Sequence, residues 1–76
     1  MSHLVILVPT TSHAIRIERI LKKARMEVKL VPVPRHLSSD CGVAVRISSD
    51  ERLRCEELIE SAGASFDSIH PLDESD

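Results

Sequence analysis

Apolar and polar positions follow two rhythms along this chain, and the switches between them mark out its elements. Leu4-Val5-Ile6-Leu7-Val8 is an unbroken apolar run closed by Pro9. A run this short and this rich in β-branched residues suits a central strand better than a helix. Thr10-Thr11-Ser12 then offers hydroxyl caps, and from His13 to about Arg25 the apolar residues Ala14, Ile17, Ile20, Leu21 and Ala24 recur at helical spacing. Arg16, Arg19, Lys22 and Lys23 take the opposite face of that helix, and Arg25 sits in its last turn, where a cation suits the helix dipole. Glu27 to Val31 alternates polar and apolar, a half-buried strand with Val28 and Leu30 on its core face. Pro32 and Pro34 have no backbone donor, so this strand ends at a sheet edge or in an extended approach to a loop.

The second half repeats the first. Val43, Val45 and Ile47 share one face of a third strand. Ser48 and Glu51 have capping-box spacing for a second helix, on which Cys55, Leu58, Ile59 and Ala62 fall at i, i+3, i+4 and i+7. Gly63 is the left-handed residue expected just past its end. Residues 64–70 form a last, weaker strand, and 71–76 read as an acidic, frayed tail. The order β-α-β-β-α-β closes most simply as an α+β, ferredoxin-like sandwich over residues 1–70: a four-stranded antiparallel sheet with two helices on one face.

Composition narrows the function. Seventy-six residues with a single aromatic, Phe66, make one small domain whose core is Val, Ile, Leu and Ala. Base stacking on exposed rings, the usual route to single-stranded nucleic acids, is ruled out, and the interior is too small for a large cofactor pocket, so no cofactor is expected. No apolar run approaches the roughly 18 residues of a membrane span, and the apolar N-terminus has neither the basic region nor the cleavage site of a secretory signal. The expected compartment is the cytoplasm, where the two cysteines stay reduced. Net charge is −2, but residues 1–46 carry eight Lys/Arg against three Asp/Glu, and residues 47–76 carry two against nine. Two solvated helix faces of opposite sign explain this; so would two docking faces, with Arg16, Arg19, Lys22 and Lys23 as the basic one.

One stretch is not dictated by packing. Arg35-His36-Leu37-Ser38-Ser39-Asp40-Cys41-Gly42 is a polar loop between two strands, with a thiol directly before one of only two glycines. In the expected topology this loop lies at the end where the first helix starts, so Ser12 and His13 approach Cys41. A helix N-terminus there favours a thiolate, with Arg35 adding positive charge and Asp40 opposing it. Gly42 removes a side chain beside the sulfur and offers an N–H to a bound anion. Cys55 lies toward the opposite end on an apolar helical face, too far for a disulfide, and reads as a small hydrophobe. By this reading Cys41→Ser costs less than about 0.5 kcal/mol, as at a surface site.

The stretch Val31-Pro32-Val33-Pro34-Arg35 followed by Ser38-Ser39-Asp40-Cys41-Gly42 resembles the signature of a family of small bacterial selenium/sulfur carrier-like proteins, and Thr11-Ser12-His13-Ala14 after an apolar strand is similar to its helix opening. The resemblance covers roughly residues 4–65. It implies a compact cytoplasmic protein whose cysteine, here Cys41, carries sulfur or selenium as a persulfide or selenosulfide, and implies no role for Cys55.

The leading function is therefore a carrier, more binding protein than enzyme, that takes the chalcogen from a donor protein and hands it to an acceptor by thiol exchange. Arg35, Ser38, Ser39 and the backbone around Gly42 are the candidate supports of the anionic sulfur, with Ser12 and His13 beside them. A regulatory or protein-interaction module without thiol chemistry is the alternative, separated by whether Cys41→Ser abolishes function. A metal module using His13, His36 and Cys41 is a further alternative, although no paired ligand spacing supports it. Neither nucleic acid nor membrane is an expected partner.

Overall fold

The computed structural model describes residues 2–37 and 41–72. The chain forms β1 (His3–Leu7), α1 (Thr11–Lys23), β2 (Val28–Pro32), β3 (Val43–Ser48), the short 3-10 turn η1 (Ser49–Glu51), α2 (Arg52–Ser61) and β4 (Ser68–Leu72). The strands make one antiparallel sheet in the order β2-β3-β1-β4, with Ile6 opposite Val45 and Ile69, and Leu30 opposite Val45. This is the ferredoxin-like α+β arrangement that the periodicity implies.

The alternation of each strand divides the apolar residues between the sheet's two faces. Leu4, Ile6, Val8, Val45 and Ile47 pack on one face against Ala14, Ile17 and Leu21 of α1 and Cys55 and Ile59 of α2. On the other face Val5, Leu7 and Ala44 form a smaller core covered by Val31, Val33, Leu37 and Leu72. The segment after β2 thus folds onto the face away from the helices, whereas Cys41 returns to the helix side.

Both helices end in the same way. Past α1, the Arg25 N–H bonds to Lys22 O and the Met26 N–H to Leu21 O; past α2, Gly63 bonds to Glu60 O and Ala64 to Ile59 O. These are paired Schellman closures, each with a left-handed residue, Gly63 at φ 72° and Arg25 at φ 61°.

Three expectations change. The capping box of Ser48 and Glu51 does not form: Ser48 is the last residue of β3, paired with His3, and gives no side-chain cap. The chain is pinned there instead by Ser49, whose N–H and hydroxyl both donate to Ser2 O at 3.2 Å. The last strand is not 64–70 but Ser68–Leu72, so Pro71 and Leu72 belong to the sheet, opposite Leu4 and His3, and not to a tail. β4 is an edge strand, where a residue without a donor is tolerated. Residues 73–76 of the expected tail lie outside the described residues.

Candidate functional site

Cys41 stands at the approach to β3, two residues before Val43, and its side chain shares the helix-side core. The loop reading treated it as an accessible thiol; the residue is only 6% exposed. The physical reason is parity. Cys41 precedes Val43, Val45 and Ile47 by steps of two, so it falls on the face that α1 covers.

What α1 places against it is its own first turn. Thr10 is the cap: its Oγ1 accepts from the His13 N–H at 3.3 Å and meets His13 Nδ1 at 2.7 Å, so one hydroxyl closes the helix and holds the imidazole. Thr11, the first helical residue, is released from capping, and its Oγ1 lies 3.7 Å from Cys41 Sγ. The thiol also donates to Val43 O at 3.5 Å. The expected meeting of Cys41 with the start of α1 is therefore present, but the contact runs through Thr11, which sequence reasoning counted only as a cap. Two adjacent threonines at a helix start were the available signal, because a cap needs only one of them.

The other candidates fall differently. Ser12 is exposed on the first turn of α1, and His13 is half-buried. Gly42 is exposed, its carbonyl accepts from the Val33 N–H at 3.3 Å, and a Cβ built there would meet nothing within 4 Å. Its backbone is not left-handed either, so neither crowding nor conformation in the folded chain demands glycine at this position. Arg35 and His36 are exposed on a turn closed by the Leu37 N–H to Pro34 O at 3.0 Å, a turn anchored through Val33 and Leu37 to the sheet face opposite Cys41. Ser38, Ser39 and Asp40 lie outside the described residues.

Both cysteines are free thiols. Cys55 is fully buried, and burial, then the nearby Glu51 and Glu56, push its thiol up to about 11 against a partial opposing pull from Arg54. Such a thiol is inert near neutral pH, in keeping with a packing role. His13, His36 and Cys41 do not form a metal-ligand set; no group of three His, Cys, Asp or Glu side chains at metal-binding distance occurs among the described residues. Arg16 Nη2 donates to Ala62 O at 2.9 Å and so satisfies the C-terminal end of α2, and Lys22 pairs with Glu18 at 3.4 Å. Arg16, Arg19, Lys22 and Lys23 are all exposed on α1. No helix among the described residues is long and apolar enough to cross a membrane.

Fold and site together define a class: a small α+β sandwich with a free cysteine held against the first turn of a helix. Residues 3–71 match the family model described as "Putative Se/S carrier protein-like", and the chain belongs to that family. No curated protein and no solved structure gives a significant match.

Proposed function

We propose that this protein is a chalcogen carrier whose Cys41 sulfur holds one sulfur or selenium atom between a donor and an acceptor protein. The observation that carries the reading is the position of Cys41 in a chain of this family: a free thiol packed against the N-terminal turn of α1, with the Thr11 hydroxyl within reach of its sulfur. In the loading step the Cys41 thiolate attacks the outer sulfur of a donor persulfide. A Cys41 S–S bond forms, the donor's S–S bond breaks, and the donor cysteine leaves as thiolate, with no net oxidation. Discharge is the same exchange in reverse sense: an acceptor thiolate takes the outer atom and Cys41 is released. Selenium is carried in the same position as a selenosulfide.

The surroundings suit such a relay. The Thr11 hydroxyl, with the Thr11 and Ser12 N–H groups of the first turn of α1, offers donors for a terminal anionic sulfur. The open space over Gly42 leaves room for a donor or acceptor backbone to come close. A reducing, cytoplasmic setting goes with two free cysteines. Arg19 and Lys23 are the docking cations in this reading.

Incubation with a cysteine desulfurase and cysteine, without reductant, followed by intact-mass measurement, tests the proposal. The expected result is an increment of one sulfur atom in the wild type and in Cys55→Ser, absent in Cys41→Ser. An increment that persists in Cys41→Ser, or none in the wild type, contradicts it and favours the interaction-module reading.

A further inference from the structure

We infer that Thr11 is a positioning residue for Cys41, a hydroxyl placed to support its sulfur when that sulfur is held as an anion. The inference rests on Cys41 being the working thiol of the carrier reading. It is carried by a contact that spans 30 positions in sequence and that the fold does not otherwise require.

Helix capping is complete without Thr11. Thr10 supplies the cap oxygen, its carbonyl accepts from the Ala14 N–H, and its hydroxyl also holds His13. Thr11 is exposed and adds nothing to either apolar core. Its hydroxyl is nonetheless placed 3.7 Å from a buried sulfur.

Thr11 Oγ1 and Val43 O differ in what they offer that sulfur. Val43 O, at 3.5 Å, can only accept. It suits the neutral thiol, whose proton it receives, and it opposes an anionic sulfur by presenting a lone pair to it. The Thr11 hydroxyl can accept or donate. With the thiol neutral it serves in either sense; once the proton leaves, it turns its own O–H toward the sulfur. The carbonyl therefore stores Cys41 as a thiol, and the threonine supports the thiolate that attacks a donor persulfide and that leaves on discharge. The hydroxyl, not the shape of the side chain, is what this requires.

Thr11→Val keeps the branched shape and removes the hydroxyl, whereas Thr11→Ser keeps the hydroxyl and loses a methyl. Alkylation of Cys41 by iodoacetamide, followed by peptide mass mapping across a pH series, reads the balance. Titration of thiolate ultraviolet absorbance in a Cys55→Ala background reads it without any reagent having to reach the sulfur. The expected result for Thr11→Val is an alkylation rate at neutral pH lower by roughly tenfold, as for losing one hydrogen bond to a charged group. Thr11→Ser should lie near the wild type, and melting temperatures should match because the cap is untouched. An unchanged profile in Thr11→Val overturns the inference, and so does a Thr11→Ser variant as impaired as Thr11→Val.

The two readings fail separately. A wild type that takes up sulfur while Thr11→Val titrates like it leaves the carrier standing and removes Thr11 from it. A wild type that takes up none, with the Val and Ser variants behaving as expected, removes the carrier and keeps the Thr11–Cys41 contact.

Discussion

At the scale of single residues, the two cysteines show how similar burial can serve different ends. Both belong to the helix-side core. Cys41 has a hydroxyl and a carbonyl within reach of its sulfur, while acidic neighbours join burial in holding the Cys55 proton. The burial of Cys41 changes what its replacement costs. Cys41→Ser places a hydroxyl in the core with Val43 O and Thr11 Oγ1 as partners, so the loss should be about 1 kcal/mol, more than the sequence reading allowed for a surface site and small enough to leave the control folded. A urea midpoint equal to that of the wild type would show the thiol to be at the surface. For Cys55 the sign of the pH dependence follows from its raised thiol. Below about 9 both folded and unfolded chains keep the proton and stability is intact. As pH rises from there toward about 11 only the unfolded chain loses it, and stability falls. Wild type should therefore lose stability between pH 8.5 and 10.5 more steeply than Cys55→Ala, in paired urea titrations at about each half unit of pH. Cys55→Asp, which buries a charge at every working pH, should cost several kcal/mol. Matching melting temperatures would mean that α2 does not turn Cys55 inward.

At the scale of elements, the sequence was most legible where one rule acts alone. The strand run of Leu4 to Val8, the apolar stripe of α1 and the left-handed Gly63 all appear where periodicity and cap chemistry put them. It was least legible where a residue serves two neighbours. Ser48 is spent on the β3 ladder and so cannot cap α2, and Pro71 reads as a strand breaker until one knows that β4 is an edge. The left-handed closure of α1 was hidden for a similar reason: its residue is Arg25, with none of glycine's signal. That closure makes a prediction. Arg25→Gly should stabilise the fold by about 1 kcal/mol, since Arg bears a Cβ penalty at φ 61° that Gly63 avoids in the matching position past α2. Thermal melting checks it, and a lower melting temperature would place the entropy of the added glycine above the strain it relieves. The site was legible as far as Cys41 meeting the start of α1. Its burial was not, because strand parity continues into a stretch that composition marks as loop, and neither was Thr11, because hydroxyls at a helix start have an obvious local use.

At the scale of the whole molecule, the sandwich covers one sheet face with two helices and part of the other with its own loop and strand end. Both sheet edges carry prolines, Pro32 on β2 and Pro71 on β4, and each removes a backbone donor from its edge strand. The charge asymmetry of the two halves is partly internal, since Arg16 of the basic helix holds the end of the acidic one. In the proposed function an atom is both received and surrendered at Cys41. A full cycle followed by intact mass tests this most directly: load the protein with a desulfurase, remove the donor, then add an excess of an acceptor thiol and follow the mass in time. The expected result is a one-sulfur increment mapped to Cys41 that returns completely to the starting mass, with the sulfur recovered on the acceptor. An increment that never leaves, or one that resides on Cys55, would contradict it.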